Sequence, residues 1–157
     1  MAKLGFRSGP YKNIAAILNS LGFKTTKGKD YELFLKGSYE IKEGKHKGDS
    51  IAFFHAPRKY LKQYGWTTEN DNEKWINIPL DDKWETFSHF QLFGSVKSVV
   101  QRFNKLRIDK RKIAVFMREK GKYYFFGIYK SELSNEKAGI CIYYRTTEIL
   151  DTDEWGI

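Results

Sequence analysis

Residues 23–45 read Phe23-Lys24-Thr25-Thr26-Lys27-Gly28-Lys29-Asp30-Tyr31-Glu32-Leu33-Phe34-Leu35-Lys36-Gly37-Ser38-Tyr39-Glu40-Ile41-Lys42-Glu43-Gly44-Lys45. Leu33 and Leu35 share one parity, Tyr39 and Ile41 share another, and Lys36-Gly37 lies between the pairs. That alternation predicts two short strands joined by a turn. Side chains two apart on a strand point to the same face, so Glu40 and Lys42 fall together, opposite Ile41. Asp30 stands ten residues before Glu40. The spacing predicts two carboxylates and an ammonium beside one hairpin.

Such a trio suits phosphodiester hydrolysis with a divalent cation. Carboxylate oxygens hold the ion, which polarises the phosphate and generates hydroxide. A neighbouring lysine orients the water and stabilises the charge that builds up on the phosphate. The plainer reading is an exposed hairpin carrying ordinary surface charges.

Outward from this stretch, Pro10 and Gly22 punctuate a predicted helix over 10–22. Ile14, Ile17, Leu18 and Leu21 form its apolar stripe. Residues 50–55 read as a buried strand, and Pro57 as the start of a short basic helix with Arg58, Lys59 and Lys62. Residues 66–74 read as a polar loop. Trp75–Leu80 reads as a strand that Pro79 confines to an edge or an end, and 81–94 as irregular and aromatic. A second amphipathic helix is predicted at 95–106, with Val96, Val99, Val100, Phe103 and Leu106 inward. Three strands follow: Ile113–Arg118, Lys122–Tyr129 and Ile140–Arg145. Lys120-Gly121 is the hairpin signal between the first two. Helix, strands, helix, strands implies a single mixed α/β (α+β) domain. Residues 1–65 are the expected catalytic core, and 66–157 the expected DNA-reading and dimerisation part.

Asp30, Glu40 and Lys42 in Asp-x9-Glu-x-Lys spacing, on a hairpin preceded by a helix, resemble the PD-(D/E)xK nuclease superfamily, which includes restriction and phage junction-resolving endonucleases. Phe6-Arg7-Ser8-Gly9, Leu21-Gly22-Phe23-Lys24 and Asp30 are similar to the entry of the phage-type enzymes. The resemblance covers roughly residues 5–45. It implies a restriction-endonuclease-like central mixed sheet flanked by helices, Asp30, Glu40 and Lys42 as catalytic residues, and Mg²⁺ on Asp30 and Glu40 with Mn²⁺ able to substitute. Lys29 stands where the family usually has Pro. No acid occurs within 10–22, where many members carry a further metal ligand.

The 157 residues are enough for a real core. The net charge of +9 points to a polyanionic partner, with DNA first. Lys45, Lys47, Arg58 and Lys59 lie close after the hairpin. Lys97, Arg102, Lys105, Arg107, Lys110, Arg111 and Lys112 form a second group. Both groups are candidate phosphate contacts, and Trp66, Trp75, Trp84, Phe87 and Phe90 are candidate stacking surfaces. Cutting both strands would require a two-fold homodimer. A single cysteine, Cys141, allows no intrachain disulfide. No apolar run approaches membrane-spanning length, so a cytoplasmic protein is the default expectation.

Three other patterns compete. Asp71, Asp81 and Lys83 repeat the spacing as Asp-x9-Asp-x-Lys, although Asp71 falls in a polar loop and Pro79 stands just before Asp81. His46, His55 and His89 are too scattered for a metal-ligand cluster, with His55 and His89 the better candidates for catalysis or base reading. The C-terminal strands have the flavour of small PUA-like barrels that bind RNA or modified bases, so the alternative function is a non-catalytic nucleic-acid-binding module.

Overall fold

The computed structural model describes residues 3–21, 38–41, 44–58, 67–68, 75–91 and 96–155. The elements in chain order are β1 (Lys3–Leu4), α1 (Ile14–Ser20), β2 (Ser38–Glu40), β3 (Ser50–His55), β4 (Pro57–Arg58), β5 (Thr67–Thr68), β6 (Trp75–Pro79) and β7 (Thr86–Gln91). They continue with α2 (Val96–Lys105), a 3₁₀ turn (Ile108–Lys110), β8 (Ile113–Glu119), β9 (Lys122–Asn135), β10 (Ile140–Thr147), β11 (Leu150–Asp151) and α3 (Thr152–Trp155). Seven strands share one sheet in the order β2-β3-β8-β9-β10-β7-β6. The expected mixed α+β class, a central sheet with a few helices, is what the chain adopts.

The chain divides into two compact units. The first comprises residues 1–54, 112–128 and 147–157, and the second 55–111 and 129–146. Strand β9 contributes its first half to one and its second half to the other.

In the first unit, α1 lays Ile17 and Leu18 on a core of Ile41, Ile51, Phe53, Ala114, Phe116, Phe125 and Trp155. Phe116 and Phe125 meet at 5.3 Å, and Tyr11 meets Phe116 edge-on at 5.9 Å. Residues Ile113–Met117 of β8 are buried without a break. An uninterrupted apolar run marks a strand covered on both faces. Lys120 (φ 51°) and Gly121 (φ 82°) both take left-handed conformations. That is the type I′ geometry whose twist matches the strands it joins.

The helix is shorter than the expected 10–22. Tyr11 is held by a bridge to Tyr123, with N···O distances of 2.8 and 3.0 Å in the two directions. The helix therefore starts only after Asn13, whose Oδ1 accepts the Ala16 N–H at 2.8 Å. Asn is a strong N-cap because its side chain satisfies a donor the first turn leaves open.

In the second unit, β6, β7 and β10 pair antiparallel. Asn77 stands opposite His89, His89 opposite Cys141, and Phe87 opposite Tyr143. Residues two apart share a face, so Trp75, Asn77, Phe87, His89, Cys141 and Tyr143 line one face of these strands. Helix α2 buries Val99 and Phe103. Val96 and Leu106, expected inward, are more than a third exposed at its ends.

Two local expectations give way here. Residues 86–91 form a central strand, not irregular chain. A polar histidine at an inward position, between Phe87 and Gln91, hides the apolar alternation. Pro57 and Arg58, expected to open a helix, stand in a strand and pair with Thr68 and Thr67. A proline is compatible with a strand whose N–H need not donate.

Candidate nucleic-acid interface

Strand β2 places the first candidate. Glu40 is opposite Ser50 of β3 and exposed. Tyr39 packs edge-on against Phe53 at 6.0 Å, and Ile41 is 1% exposed. The expected parity holds: the apolar residues turn to the core and the carboxylate turns away. Asp30 and Lys42, the other members of the trio, lie outside the described residues, as do Asp71, Lys59, Lys62 and Trp66. Glu40 supplies an oxygen donor of the kind Mg²⁺ takes. Among the described residues no group of three or more His, Cys, Asp or Glu side chains comes together to hold a metal ion.

The loop joining β2 to β3 is closed by Ile41 N–H donating to Asp49 O and Gly48 N–H donating to Ile41 O. It carries Lys45, His46 and Lys47. Lys45 Nζ binds Glu154 Oε1 at 2.8 Å. That hydrogen bond raises the lysine and lowers the glutamate relative to their ordinary values. The His46 ring stacks on Trp155 at 4.1 Å, and its Nδ1 lies 2.9 Å from Asp49 Oδ2. Asp49 Oδ1 accepts the Lys112 N–H at 2.8 Å. His46 is therefore a packing and loop-fixing residue. Lys47 and Lys112 are exposed.

Asp81 is committed to its own turn. Its two oxygens accept from Lys83 N–H (3.1 Å), Glu85 N–H (2.9 Å), Thr86 N–H (2.8 Å) and Thr86 Oγ1 (3.0 Å). Its partial burial works against the charged form, but these donors outweigh it and hold the carboxyl below its usual range. The second Asp-x9-Asp-x-Lys match thus has one carboxylate serving as a turn acceptor.

Cations gather on α2 and the turn after it. Lys97, Arg102, Lys105, Arg107, Lys110 and Arg111 belong to the second unit, and Lys112 follows them directly. Between 97 and 112 the single acid is Asp109. All of these cations but Arg111, which is half-buried, are exposed. Arg111 Nε donates to Leu106 O at 2.7 Å, and Lys110 Nζ is 3.9 Å from Asp109. Lys97, Gln101 and Lys105 fall four apart along α2, one row on the helix surface. Arg58 is placed by its backbone pairing with Thr67.

Next to Arg102 of this helix lies a cluster of rings and polar groups. The Trp75 indole is parallel to the His89 ring at 4.5 Å, and the Arg102 guanidinium lies 5.4 Å from the indole centroid. His89 Nδ1 meets Asn77 Oδ1 at 2.6 Å, and Asn77 Nδ2 donates to His55 O at 3.2 Å. Tyr143 meets His89 edge-on at 5.3 Å and stacks on Phe87 at 4.9 Å. Burial first, then the nearby Arg102 charge, pushes His89 down to about 3, so its imidazole is neutral. Burial pushes Cys141 up to about 11 and the Tyr143 phenol well above its ordinary value. Asn77 and Tyr143 were not legible as site neighbours of Trp75 and His89. The shared parity of 75 with 77, and of 87 with 89, was the available signal.

No helix among the described residues is long and apolar enough to cross a membrane. No protein-family model matches the chain, and no curated protein does. Its structure is similar to one described as "The 5-Hydroxymethylcytosine-Specific Restriction Enzyme AbaSI", with a TM-score of 0.64 and 16% sequence identity. The match covers 95% of this chain and 42% of that one, so the chain spans less than half the length of the enzyme it resembles. The likeness is one of fold: this chain and a portion of a restriction enzyme share their architecture.

Proposed function

We propose that this chain reads DNA as part of a restriction-type system, with the cations of α2 and the following turn holding the phosphates. The observation that carries the reading is the run of exposed cations Lys97, Arg102, Lys105, Arg107 and Lys110, on a helix and the turn after it. Lysine and arginine side chains along one helix neutralise phosphates and release counterions, which gives affinity without sequence information. The fold shared with part of a restriction enzyme supports DNA as the polyanion. That enzyme's stated specificity makes a hydroxymethylated cytosine the substrate feature to test first. Titrating duplexes that carry cytosine, 5-methylcytosine or 5-hydroxymethylcytosine should give salt-dependent binding, tightest for a modified base. Absence of binding to all three at low salt would reject the reading.

A second reading adds cleavage. In it the chain is a Mg²⁺-dependent endonuclease, with Mn²⁺ able to substitute, acting through Asp30, Glu40 and Lys42 as a homodimer. The observation that favours it is the parity of β2, with Glu40 outward and Tyr39 and Ile41 inward. Supercoiled, junction and modified DNA should be nicked only with the metal, and not by Glu40→Ala or Lys42→Ala. Nicking that persists in both variants would remove these residues from the site. Binding with no cleavage of any substrate would leave the DNA-reading function alone.

A further inference from the structure

Trp75 opens β6, the last strand in the sheet order, and its side chain is only partly buried. Its indole is backed by His89, which Asn77 holds through Nδ1. The ring is thereby fixed before any ligand arrives, so little side-chain entropy remains to be lost on binding. Arg102 stands one position beyond Gln101 on α2, next to the row Lys97, Gln101, Lys105, and its exposed guanidinium reaches over the indole. A phosphate backbone following that row would pass beside the ring.

From this we infer that Trp75 is a stacking platform for one unpaired nucleobase, with Arg102 gripping the adjacent phosphate; the inference rests on the DNA-reading function above. An indole accepts any base face, and a guanidinium can turn from a ring to a phosphate without losing its charge. Lys97 and Lys105 then supply register along the strand, and Trp75 supplies the preference for a base out of its pair. One stacked base adds roughly tenfold or more in affinity.

The test uses the full chain and a duplex with one unpaired 5-iodouracil, beside the same duplex fully paired. Irradiation and peptide mapping should place the crosslink on Trp75, with the unpaired duplex bound about tenfold more tightly. Trp75→Phe should keep most of that preference. Trp75→Ala should abolish it, the unpaired and paired duplexes then binding equally. A crosslink elsewhere, or equal affinity for the two duplexes in wild-type protein that does bind DNA, overturns the platform and leaves DNA reading standing. Wild-type protein that binds neither duplex overturns DNA reading, and the platform with it. Should Trp75→Ala fail to fold, the wild-type crosslink map and Trp75→Phe decide the matter.

Discussion

Asn77 and His89 face each other as directly paired residues of β6 and β7, and the Asn77 amide oxygen lies 2.6 Å from His89 Nδ1. Asn77 is 1% exposed and His89 4%. The bond requires Nδ1 to carry the proton, which fixes the tautomer of a neutral imidazole. It also satisfies two polar groups that would otherwise be buried at a cost.

The first prediction concerns acid. The folded-state value of His89 is depressed to about 3, below its ordinary 6.5. Well above pH 6.5 the imidazole is neutral in both states and contributes no slope. Between those values the unfolded chain binds the extra proton, so stability falls as the pH falls. The slope approaches about 1.4 kcal/mol per pH unit. Urea midpoints at pH 7, 6 and 5 should drop more steeply for wild type than for His89→Phe. Equal slopes would show that His89 charges freely in the folded protein.

The second concerns Asp81, which accepts four hydrogen bonds within residues 81–86. Asp81→Ala should destabilise the fold by about 1–2 kcal/mol, as losing a capping acceptor does. DNA binding measured below the lowered melting temperature should be unchanged. Loss of a metal-dependent activity with an intact melting temperature would instead make Asp81 a site residue.

The third concerns salt. Lys97 and Lys105 are exposed on one row of α2. Replacing both by alanine should lower the slope of log affinity against log salt by about 0.9 for each phosphate no longer neutralised. Lys137, exposed between β9 and β10, is the control whose replacement should leave the slope alone. A slope unaffected by the double variant would move the phosphate path off α2.

The fourth compares two glycines. At Gly9 (φ 136°) a Cβ would stand 2.8 Å from the Tyr123 carbonyl oxygen, against which the Tyr11 bridge is also built. Gly9→Ala should cost upwards of about 2 kcal/mol, because strain and overlap add. At Gly121 (φ 82°) nothing lies within 4 Å. Gly121→Ala should cost only the conformational penalty, about 1 kcal/mol. Chemical denaturation of the two variants checks the order, and a reversed order would contradict the close approach at Gly9.

Some of this protein is written in its sequence by itself. Local periodicity set β3, β6, α2, β8, β9 as far as Tyr129, and β10, because burial on one face or both leaves a pattern of period 2 or 3.6 that needs no partner to be seen. Lys120-Gly121 announced its hairpin because the turn's left-handed conformations favour such residues. The basic balance, and its concentration at 97–112, were countable. The face parity of Glu40 against Tyr39 and Ile41 followed from strand geometry alone.

Tertiary structure decided the rest. The strand at 86–91 is a strand because Asn77 and Tyr143 satisfy and cover His89, and no local pattern forecasts partners 12 and 54 positions away. The helix after Pro10 starts late because Tyr123, far along the chain, claims Tyr11. Asp81 matched the same spacing motif as Glu40. Backbone donors folded back onto its oxygens make it a turn residue, while Glu40 stands on a strand with its carboxylate outward. The trio first read in residues 23–45 shares this dependence. Spacing can nominate Asp30, Glu40 and Lys42, but a metal site exists only where separate segments bring charged groups within one ion's reach, and burial and hydrogen bonding set that convergence.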